Sequence, residues 1–216
     1  MGDTINLPKN LILAKLQHYF SLKNEGVIKP IPHPVDDPNF SDRDDYDAST
    51  YREAAVLIPL ITATENEQEK ILLTLRTEHL NSHAGQVSLP GGSSEPGDED
   101  LIETALRESE EEIGLNPADV KVIGTLGTIV LPSGFCVTPV IGSVKPDYPF
   151  RPCPREVAEI FQVPASLLLR PESWQSCYVT YKDRRRKVLE LHYGNYRIWG
   201  ATAAILYHLA TELEAI

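Results

Sequence analysis

The 216-residue sequence has little cysteine, few positive charges and no long apolar run. Its three cysteines, Cys136, Cys153 and Cys177, are far apart and form no CxxC pair, so the sequence predicts neither a disulfide framework nor a zinc site. No apolar stretch reaches the roughly 18 residues of a membrane-spanning helix, and the N-terminus lacks the pattern of a secretory signal. We therefore expect reduced thiols, no membrane partner and a cytoplasmic location.

The charge balance is strongly acidic, with 20 Lys and Arg against 31 Asp and Glu and a net charge of −11. A chain this acidic binds bare phosphate backbones poorly, which disfavours a nucleic-acid partner. It still allows an anionic small molecule as substrate, provided that divalent cations connect protein carboxylates to phosphates. The length suits one large domain, or one domain with a terminal extension. It does not exclude a homodimer.

The first fifty residues differ in composition from the rest of the chain. Apolar residues recur at helical spacing over residues 7–23, which predicts an amphipathic helix. Residues 31–49 contain several prolines and an acidic cluster, a composition typical of an irregular surface segment. We therefore expect an N-terminal extension over residues 1–50 and the main domain over residues 51–216.

Beyond residue 50, apolar runs rich in β-branched residues surround one central helical segment, which predicts a mixed α/β (α+β) fold. Residues 54–62 and 70–76 are expected to form a hairpin. A second hairpin is expected from residues 178–181 and 188–192, around a basic turn at 182–187. The predicted strands are 54–62, 70–76, 120–126, 136–144 with an interruption at Pro139, 156–162, 178–181 and 188–192, and the predicted later helices are 164–169 and 199–215.

The central helix has recognisable start and stop signals. Asp100 suits the N-cap, and Glu103 stands three residues later in a box-like pattern. Gly114 has the residue type wanted at the C′ position, so the helix is predicted to end at Ile113.

Three glutamates of this helix fall on one side of it. At about 100° per residue, Glu108, Glu111 and Glu112 lie within one arc, where their repulsion costs a few tenths of a kcal/mol. A bound cation would remove that cost, and hard oxygen ligands favour Mg²⁺ or Mn²⁺. Acidic helices are more often solvated surfaces. Three features of the surrounding sequence favour a metal site over a solvated surface. They are the glycine pair before the helix, Arg107 beside the first Glu, and the Gly-Leu pair after the helix.

This segment resembles the Nudix box, G-x5-E-x7-R-E-U-x-E-E-x-G-U, in which U is a bulky apolar residue. Ser109 stands at the first U, and the loop before the helix is one residue longer than in the pattern. Counted from Gly92 the first acidic position is Asp98, whereas counted back from Arg107 it is Glu99, and both alternatives stay open. The matching positions are Arg107, Glu108, Glu111, Glu112, Gly114 and Leu115.

The resemblance implies an α/β/α sandwich with a mixed and antiparallel sheet and a loop-helix-loop catalytic motif. It also implies that water attacks one phosphorus of a nucleoside diphosphate derivative, with Mg²⁺ or Mn²⁺ as cofactor. Glu108, Glu111 and Glu112 would then be the metal-binding and catalytic carboxylates, and Arg107 would orient a box carboxylate by a bidentate hydrogen bond. The general base would be one of these glutamates or a glutamate further along the chain.

Residues 72–92 resemble the signature of coenzyme A pyrophosphatases, L-L-T-x-R-[SA]-x3-R-x3-G-x3-F-P-G-G. The spacing agrees throughout, and three residues differ: Thr77 for Ser or Ala, Asn81 for Arg, and Leu89 for Phe. This resemblance implies hydrolysis of coenzyme A to adenosine 3′,5′-bisphosphate and 4′-phosphopantetheine.

The same resemblance gives four candidate substrate contacts, Arg76, His83, Gly91 and Gly92. For Arg76 a surface ion pair is the alternative, and for His83 a local contact within its loop. Two other functions stay open. One is hydrolysis of a different nucleoside diphosphate derivative, such as a dinucleotide, a nucleotide sugar or a nucleoside triphosphate, and the other is non-catalytic nucleotide binding by a regulator.

Overall fold

The computed structural model describes residues 10–23, 30–31, 51–80, 83–181 and 184–216. The helices are α1 (Leu11–Lys23), α2 (Leu101–Ile113), α3 (Ala165–Leu168) and α4 (Gly200–Glu214). The strands are β1 (Arg52–Ile61), β2 (Lys70–Arg76), β3 (Val87–Ser88), β4 (Gly91–Ser93), β5 (Lys121–Thr125), β6 (Ile129–Leu131), β7 (Phe135–Val144), β8 (Val157–Pro164), β9 (Gln175–Tyr181), β10 (Arg184–Tyr193) and β11 (Tyr196–Trp199). Mixed α/β structure is therefore confirmed.

Eight of these strands form one mixed sheet, in the order β3-β2-β1-β7-β5. The central pair, β1 and β7, is parallel over ten residues, and every other pair is antiparallel. Strands β4, β6 and β8 pair with β1, β7 and β2 respectively. The predicted β1–β2 hairpin is confirmed by the register Leu60↔Ile71. Strands β9, β10 and β11 form a separate antiparallel sheet.

The large sheet has an apolar cluster on each face, because side chains alternate along a strand. Leu57 belongs to the cluster that α2 covers through Ala105 and Ile113. Its neighbour Ile58 belongs to the other cluster, which includes Leu206 of α4 and residues of α1 and β10. The result is a sandwich with α2 on one side and α1, α4 and the small sheet on the other. No helix within the described ranges is both long and apolar enough to cross a membrane.

Helix α1 packs against the domain. Its Leu16 and Tyr19 are 1% and 3% exposed, and both belong to the cluster that α4 shares. The buried carboxylate of Glu69 accepts hydrogen bonds from the backbone N–H groups of Ile12 and Leu13, both at 2.7 Å. The expected N-terminal helix is thus present from Leu11, whereas residues 1–9 and most of the predicted irregular segment lie outside the described residues. The division at residue 50 stays a prediction.

Pro139 does not interrupt its strand, contrary to the prediction. β7 runs without a break through Pro139, which lies opposite Val56 in the parallel ladder. On the other side of β7 the partner changes at this point, since β6 pairs up to Val137 and β5 pairs from Val140. The Pro139 carbonyl still accepts a hydrogen bond from Leu126 at 2.9 Å. The missing N–H therefore falls where no ladder bond is required.

Two predicted boundaries near the C-terminus are wrong. Residues 184–187, which were expected in a basic turn, belong to β10 and pair with β9, whereas residues 182 and 183 lie outside the described part of the chain. Trp199 was expected to begin the last helix but belongs to β11, where it lies opposite Glu190. The helix begins at Gly200, and the short strand escaped prediction because its four residues carry little periodicity of their own.

Candidate active site

Helix α2 begins and ends as its sequence predicts. The Asp100 carboxylate accepts hydrogen bonds from the backbone N–H groups of Ile102 and Glu103, each at 2.8 Å. Gly114 adopts a left-handed conformation with φ of 67° and donates to the Glu110 carbonyl. The Glu103 side chain accepts from the Glu99 N–H, one residue earlier than in a standard capping box. Local hydrogen bonds thus fix the helix that carries the glutamates.

The buried stripe of α2 includes three polar residues, Thr104, Ser109 and Glu112. Ser109, which stands where the box pattern has an apolar residue, is fully buried. Its hydroxyl donates to the Ala105 carbonyl at 2.6 Å, so the substitution leaves no unsatisfied donor. Glu112 lies on the same stripe, three residues further along the helix, and is 3% exposed. The helix therefore holds a carboxylate at a position that faces the sheet.

The glycine pair before the helix contacts the glutamates directly. The Gly91 N–H donates to Glu112 Oε2 at 3.2 Å. A Cβ on Gly91 would lie 2.3 Å from the Ala55 carbonyl oxygen, and one on Gly92 would lie 2.5 Å from the Glu108 carboxylate. The contact with the β1 backbone requires glycine at position 91, whereas a side chain at position 92 would displace the Glu108 carboxylate. The expectation that Gly91 and Gly92 contact substrate stays a prediction.

Glu112 has an unusual electrostatic environment. Its carboxylate receives one backbone hydrogen bond and lies 3.3 Å from the Arg76 guanidinium. Burial raises the pKa of Glu112 to about 7, and the charges of Glu156 and Glu108 add to the increase while Arg76 and Gly91 oppose it. This carboxyl group therefore exchanges its proton near neutral pH. Arg76, for which a surface ion pair was the alternative, pairs instead with a buried carboxylate.

The other two predicted glutamates have different surroundings. Burial raises the pKa of Glu108, whose Oε1 lies 3.1 Å from Arg107. Glu111 is 63% exposed and lies 3.2 Å from the same guanidinium. The structure thus places Glu108 and Glu112 within electrostatic reach of each other and leaves Glu111 at the solvent-exposed side.

Arg107 holds the loop before the helix by the expected bidentate hydrogen bond. Its Nε and Nη2 donate to the two oxygens of Asp98 at 2.9 and 3.1 Å. Asp98 also accepts from the Glu95 N–H and the Thr104 hydroxyl, and these donors hold the pKa of Asp98 well below its usual range, with Arg107 contributing most. Asp98 is therefore the acidic residue that faces the box arginine, whereas Glu99 is exposed.

One glutamate near the site was not among the predicted residues. Glu156 immediately precedes β8, and its charge acts on both Glu108 and Glu112. Its carbonyl accepts a hydrogen bond from the Thr77 N–H at 2.9 Å, just after Arg76. A general expectation of a downstream glutamate could not single it out, because its position depends on the pairing of β2 with β8.

His83 makes a local contact. Its φ is 57°, and its ring Nδ1 lies 2.9 Å from Gln86 Oε1 within the same loop. This geometry agrees with the local alternative. Contact of His83 with substrate is untested and stays a prediction.

A divalent cation suits the chemistry of this site. Carboxylate oxygens are the ligands that Mg²⁺ and Mn²⁺ prefer. Glu111 and Glu112 lie towards the C-terminus of α2, where the helix dipole disfavours negative charge, and its last turn contains no basic residue. In the described residues no three His, Cys, Asp or Glu side chains are close enough to surround a metal ion. Binding would thus require side-chain rotation, for which Glu111 and Glu156 are sufficiently exposed.

Comparison with known proteins agrees with the fold and the motif. The family model for the NUDIX domain matches residues 51–176. The uncharacterized Nudix hydrolase NudL of Yersinia pestis (strain Pestoides F) is 41% identical over 169 residues, which cover 78% of this chain and 83% of that protein. NudL of Yersinia pseudotuberculosis (serotype O:1b, strain IP 31758) gives the same values. The crystal structure of RenU, a Nudix hydrolase from M. smegmatis, has a TM-score of 0.51 at 21% identity and covers 76% of this chain and 87% of its own, which supports the fold.

Proposed function

This chain belongs to the Nudix family, and from that membership we propose that it hydrolyses the pyrophosphate bond of coenzyme A or its acyl derivatives. The family assignment supports hydrolysis of a nucleoside diphosphate derivative. The choice of coenzyme A depends on one observation, the agreement of residues 72–92 with the coenzyme A pyrophosphatase signature. The products would be adenosine 3′,5′-bisphosphate and 4′-phosphopantetheine, or its acylated form.

The position of that signature supports the proposal. Thr74, in the middle of β2, is fully buried, and its hydroxyl lies 2.9 Å from the Ser88 hydroxyl, which connects β2 to β3. Arg76 is the last residue of the same strand, and its guanidinium forms an ion pair with Glu112. Gly91 contacts Glu112, and Gly92 contacts Glu108. Three of the described signature residues, Arg76, Gly91 and Gly92, therefore lie at the carboxylate site. Residue 81, where the signature has arginine, lies outside the described residues.

We propose Mg²⁺ or Mn²⁺ as the cofactor, held by Glu108 and Glu112 with Glu111 or Glu156. When bound, the cation neutralises phosphate oxygens and makes water a better nucleophile. The charge of the chain is consistent with this role, because a site formed by glutamates repels an anionic substrate until cations are present.

Side chains of the protein accept the proton and hold the glutamates in position. Water forms a bond to one phosphorus, the bridging P–O bond breaks, and the proton of the water needs an acceptor. A glutamate of the site that does not hold the cation would take that proton, and Glu112 fills this role where Glu108, Glu111 and Glu156 provide the metal ligands. Arg76 and the Gly91 N–H hold the Glu112 carboxylate in place. Arg107, by binding Asp98, fixes the loop from which Gly92 contacts Glu108.

Other parts of the functional prediction remain untested. The three cysteines are free, as expected for reduced thiols. A cytoplasmic location and the absence of a nucleic-acid partner remain predictions from composition.

The substrate assignment is tested by product identification. The purified chain is incubated with Mg²⁺ or Mn²⁺ and, separately, coenzyme A, a dinucleotide, a nucleotide sugar and a nucleoside triphosphate, and the products are separated by mass. We expect the highest kcat/KM for coenzyme A, with release of adenosine 3′,5′-bisphosphate. Preference for another substrate would refute the coenzyme A assignment and leave the hydrolase assignment intact. Binding without hydrolysis of any substrate would favour the regulator.

A further inference from the structure

The segment just before β8 is hydrogen-bonded both to helix α2 and to the end of strand β2. The Cys153 N–H donates to the Glu112 carbonyl at 2.8 Å, and the Cys153 carbonyl accepts from the Glu156 N–H at 3.0 Å. The Glu156 carbonyl in turn accepts from the Thr77 N–H at 2.9 Å. Thr77 follows Arg76, whose guanidinium forms an ion pair with the Glu112 carboxylate. These contacts form a closed ring that begins and ends at Glu112.

A β-bulge decides which residue of this segment lies beside Thr77. The pairing of β2 with β8 shifts by one residue between Leu75 and Arg76. Without this shift Val157, which is buried, would lie opposite Thr77. Bulges change the direction of side chains and are common beside active sites. The bulge therefore brings Glu156 to the end of β2 that lies at the carboxylate site.

The Thr77 side chain makes a further hydrogen bond to the same segment. Thr77 is 4% exposed, and its hydroxyl donates to the Arg155 carbonyl at 3.3 Å. Thr77 thus holds two successive carbonyl groups, that of Arg155 through its side chain and that of Glu156 through its main chain. The Glu156 side chain is exposed and can rotate, whereas its backbone is fixed from both sides.

We propose that Thr77 is a positioning residue of the metal site, because it fixes the backbone from which the Glu156 carboxylate reaches the cation. This inference rests on the proposed function, in which Glu156 is one of the metal ligands. The charge of Glu156 already acts on Glu108 and Glu112, so the three carboxylates are near one another. A metal site needs its ligands held to within about 0.5 Å, and residues that orient a ligand therefore affect metal affinity.

Thr202 provides a matched control for the loss of a buried hydroxyl. It is 7% exposed, and its hydroxyl donates to the Val87 carbonyl, also at 3.3 Å. Thr202 belongs to α4, on the face of the large sheet opposite α2. A hydroxyl that only stabilises the fold should therefore behave in the same way at both positions.

Binding of Mn²⁺ to the full chain, measured by electron paramagnetic resonance without substrate, tests the proposal. Thr77→Val removes the hydroxyl and keeps the branched side chain, so we expect the Mn²⁺ dissociation constant to rise about tenfold. Thr77→Ser keeps the hydroxyl and should bind Mn²⁺ as the wild type does. Thr202→Val should leave the dissociation constant unchanged. An unchanged constant in Thr77→Val, or an equal rise in Thr202→Val, would overturn the proposal.

A double variant tests whether Thr77 acts through Glu156. Glu156→Gln removes one charge at an exposed position, so this variant should fold and bind Mn²⁺ more weakly. Once Glu156 is replaced, adding Thr77→Val should cause no further loss of Mn²⁺ affinity. Additive losses would overturn the proposal. Unchanged affinity in Glu156→Gln alone would also overturn it, whether or not Thr77→Val folds.

The same measurement separates this inference from the proposed function. A wild-type chain that binds no Mn²⁺ would refute the proposed cofactor and the role of Thr77 together. Binding by the wild type with unchanged affinity in Thr77→Val would refute the role of Thr77 alone. Preference for a substrate other than coenzyme A would refute only the substrate assignment, because no substrate is present when Mn²⁺ binding is measured.

Discussion

Asp98 and Glu112 lie at the two ends of the same loop-helix segment. Both side chains are largely covered, 4% and 3% exposed, but Glu112 is a buried residue that faces the sheet, whereas Asp98 lies in a partly exposed loop. Their pKa values change in opposite directions. Asp98 accepts hydrogen bonds from Arg107, Glu95 and Thr104, which hold its pKa well below the usual range. Glu112 has one backbone donor and an arginine at 3.3 Å, and burial raises its pKa to about 7.

The difference has two causes. Glu112 loses more hydration than Asp98, and Asp98 has more hydrogen-bond donors that replace the lost hydration. The direction of the nearby helix dipole acts in the same sense. Asp98 precedes the N-terminus of α2, whereas Glu112 lies in its last turn beside two other glutamates. Glu69, on the opposite face of the sheet, is a buried carboxylate that accepts hydrogen bonds from two backbone N–H groups of α1. One kind of buried carboxylate holds the fold together, and the other remains available for chemistry.

The largest effect is expected from Glu112→Gln. The variant keeps the volume and the acceptor for Gly91 but cannot take up a proton or carry negative charge. We expect kcat to fall on the order of 10²–10⁴-fold, the range associated with loss of a general base, with a native circular dichroism spectrum. Steady-state kinetics on the preferred substrate measure the effect. An unchanged kcat would exclude Glu112 from the chemistry.

The same variant should be more stable without metal, in a pH-dependent way. Because the pKa of Glu112 is raised in the folded state, its favourable contribution is present below about pH 4.5 and is lost as pH rises through about 7. Glu112→Gln should therefore gain on the order of 3 kcal/mol relative to wild type above pH 7, and little near pH 4. Urea unfolding in chelator measures the difference. A gain that is constant over this pH range would contradict the raised pKa.

Asp98→Ala should be destabilised by about 2–4 kcal/mol, because it leaves Arg107 without its bidentate partner and Thr104 without its side-chain acceptor. The sign of the pH dependence is opposite to that of Glu112. The contribution of a carboxylate with a lowered pKa is present above the ordinary value of about 3.9 and fades only as pH falls further. Urea unfolding against pH measures it, with Glu99→Ala as the exposed neighbouring control, expected to change stability by less than about 0.5 kcal/mol.

Gly92→Ala should affect activity more than stability. The added Cβ would overlap the Glu108 carboxylate, and this flexible side chain can move away at a cost of about 1 kcal/mol or less. Because Glu108 then leaves its position, we expect kcat to fall about tenfold or more, which corresponds to about 1.4 kcal/mol in the barrier. Gly97→Ala is the matched control, since a Cβ there meets no atom within 4 Å. Equal kinetics for the two variants would argue against a role for Glu108.

The smallest effect is expected from Glu69→Gln. A neutral amide can still accept one hydrogen bond from α1, but it loses the charge and presents an NH₂ group to the second N–H. We expect a loss of about 1 kcal/mol in unfolding free energy, as for a weakened helix cap, with unchanged kcat. A large loss of activity instead would show that α1 supports the active site.

Much of the loop-helix segment could be predicted because its signals are local. Asp100 and Gly114 cap α2 through hydrogen bonds within a few residues, and Arg107 reaches Asp98 within the same segment. Other features depend on distant partners. Pro139 fits inside β7 only because two different strands meet there, and Trp199 joins β11 through its pairing with β10.

The sequence by itself determined the central helix, the glutamates that it carries and the glycine pair before it, since these follow from local residue preferences and fixed spacing. Tertiary structure alone decided how these carboxylates differ. Glu108, Glu111 and Glu112 fall within one arc of the helix, yet packing buries Glu112 against β4 and Arg76 and leaves Glu111 exposed. Packing also brings Glu156, just before β8, near enough for its charge to act on Glu112. Burial and nearby charges set a pKa, and both depend on residues that only the folded chain brings together.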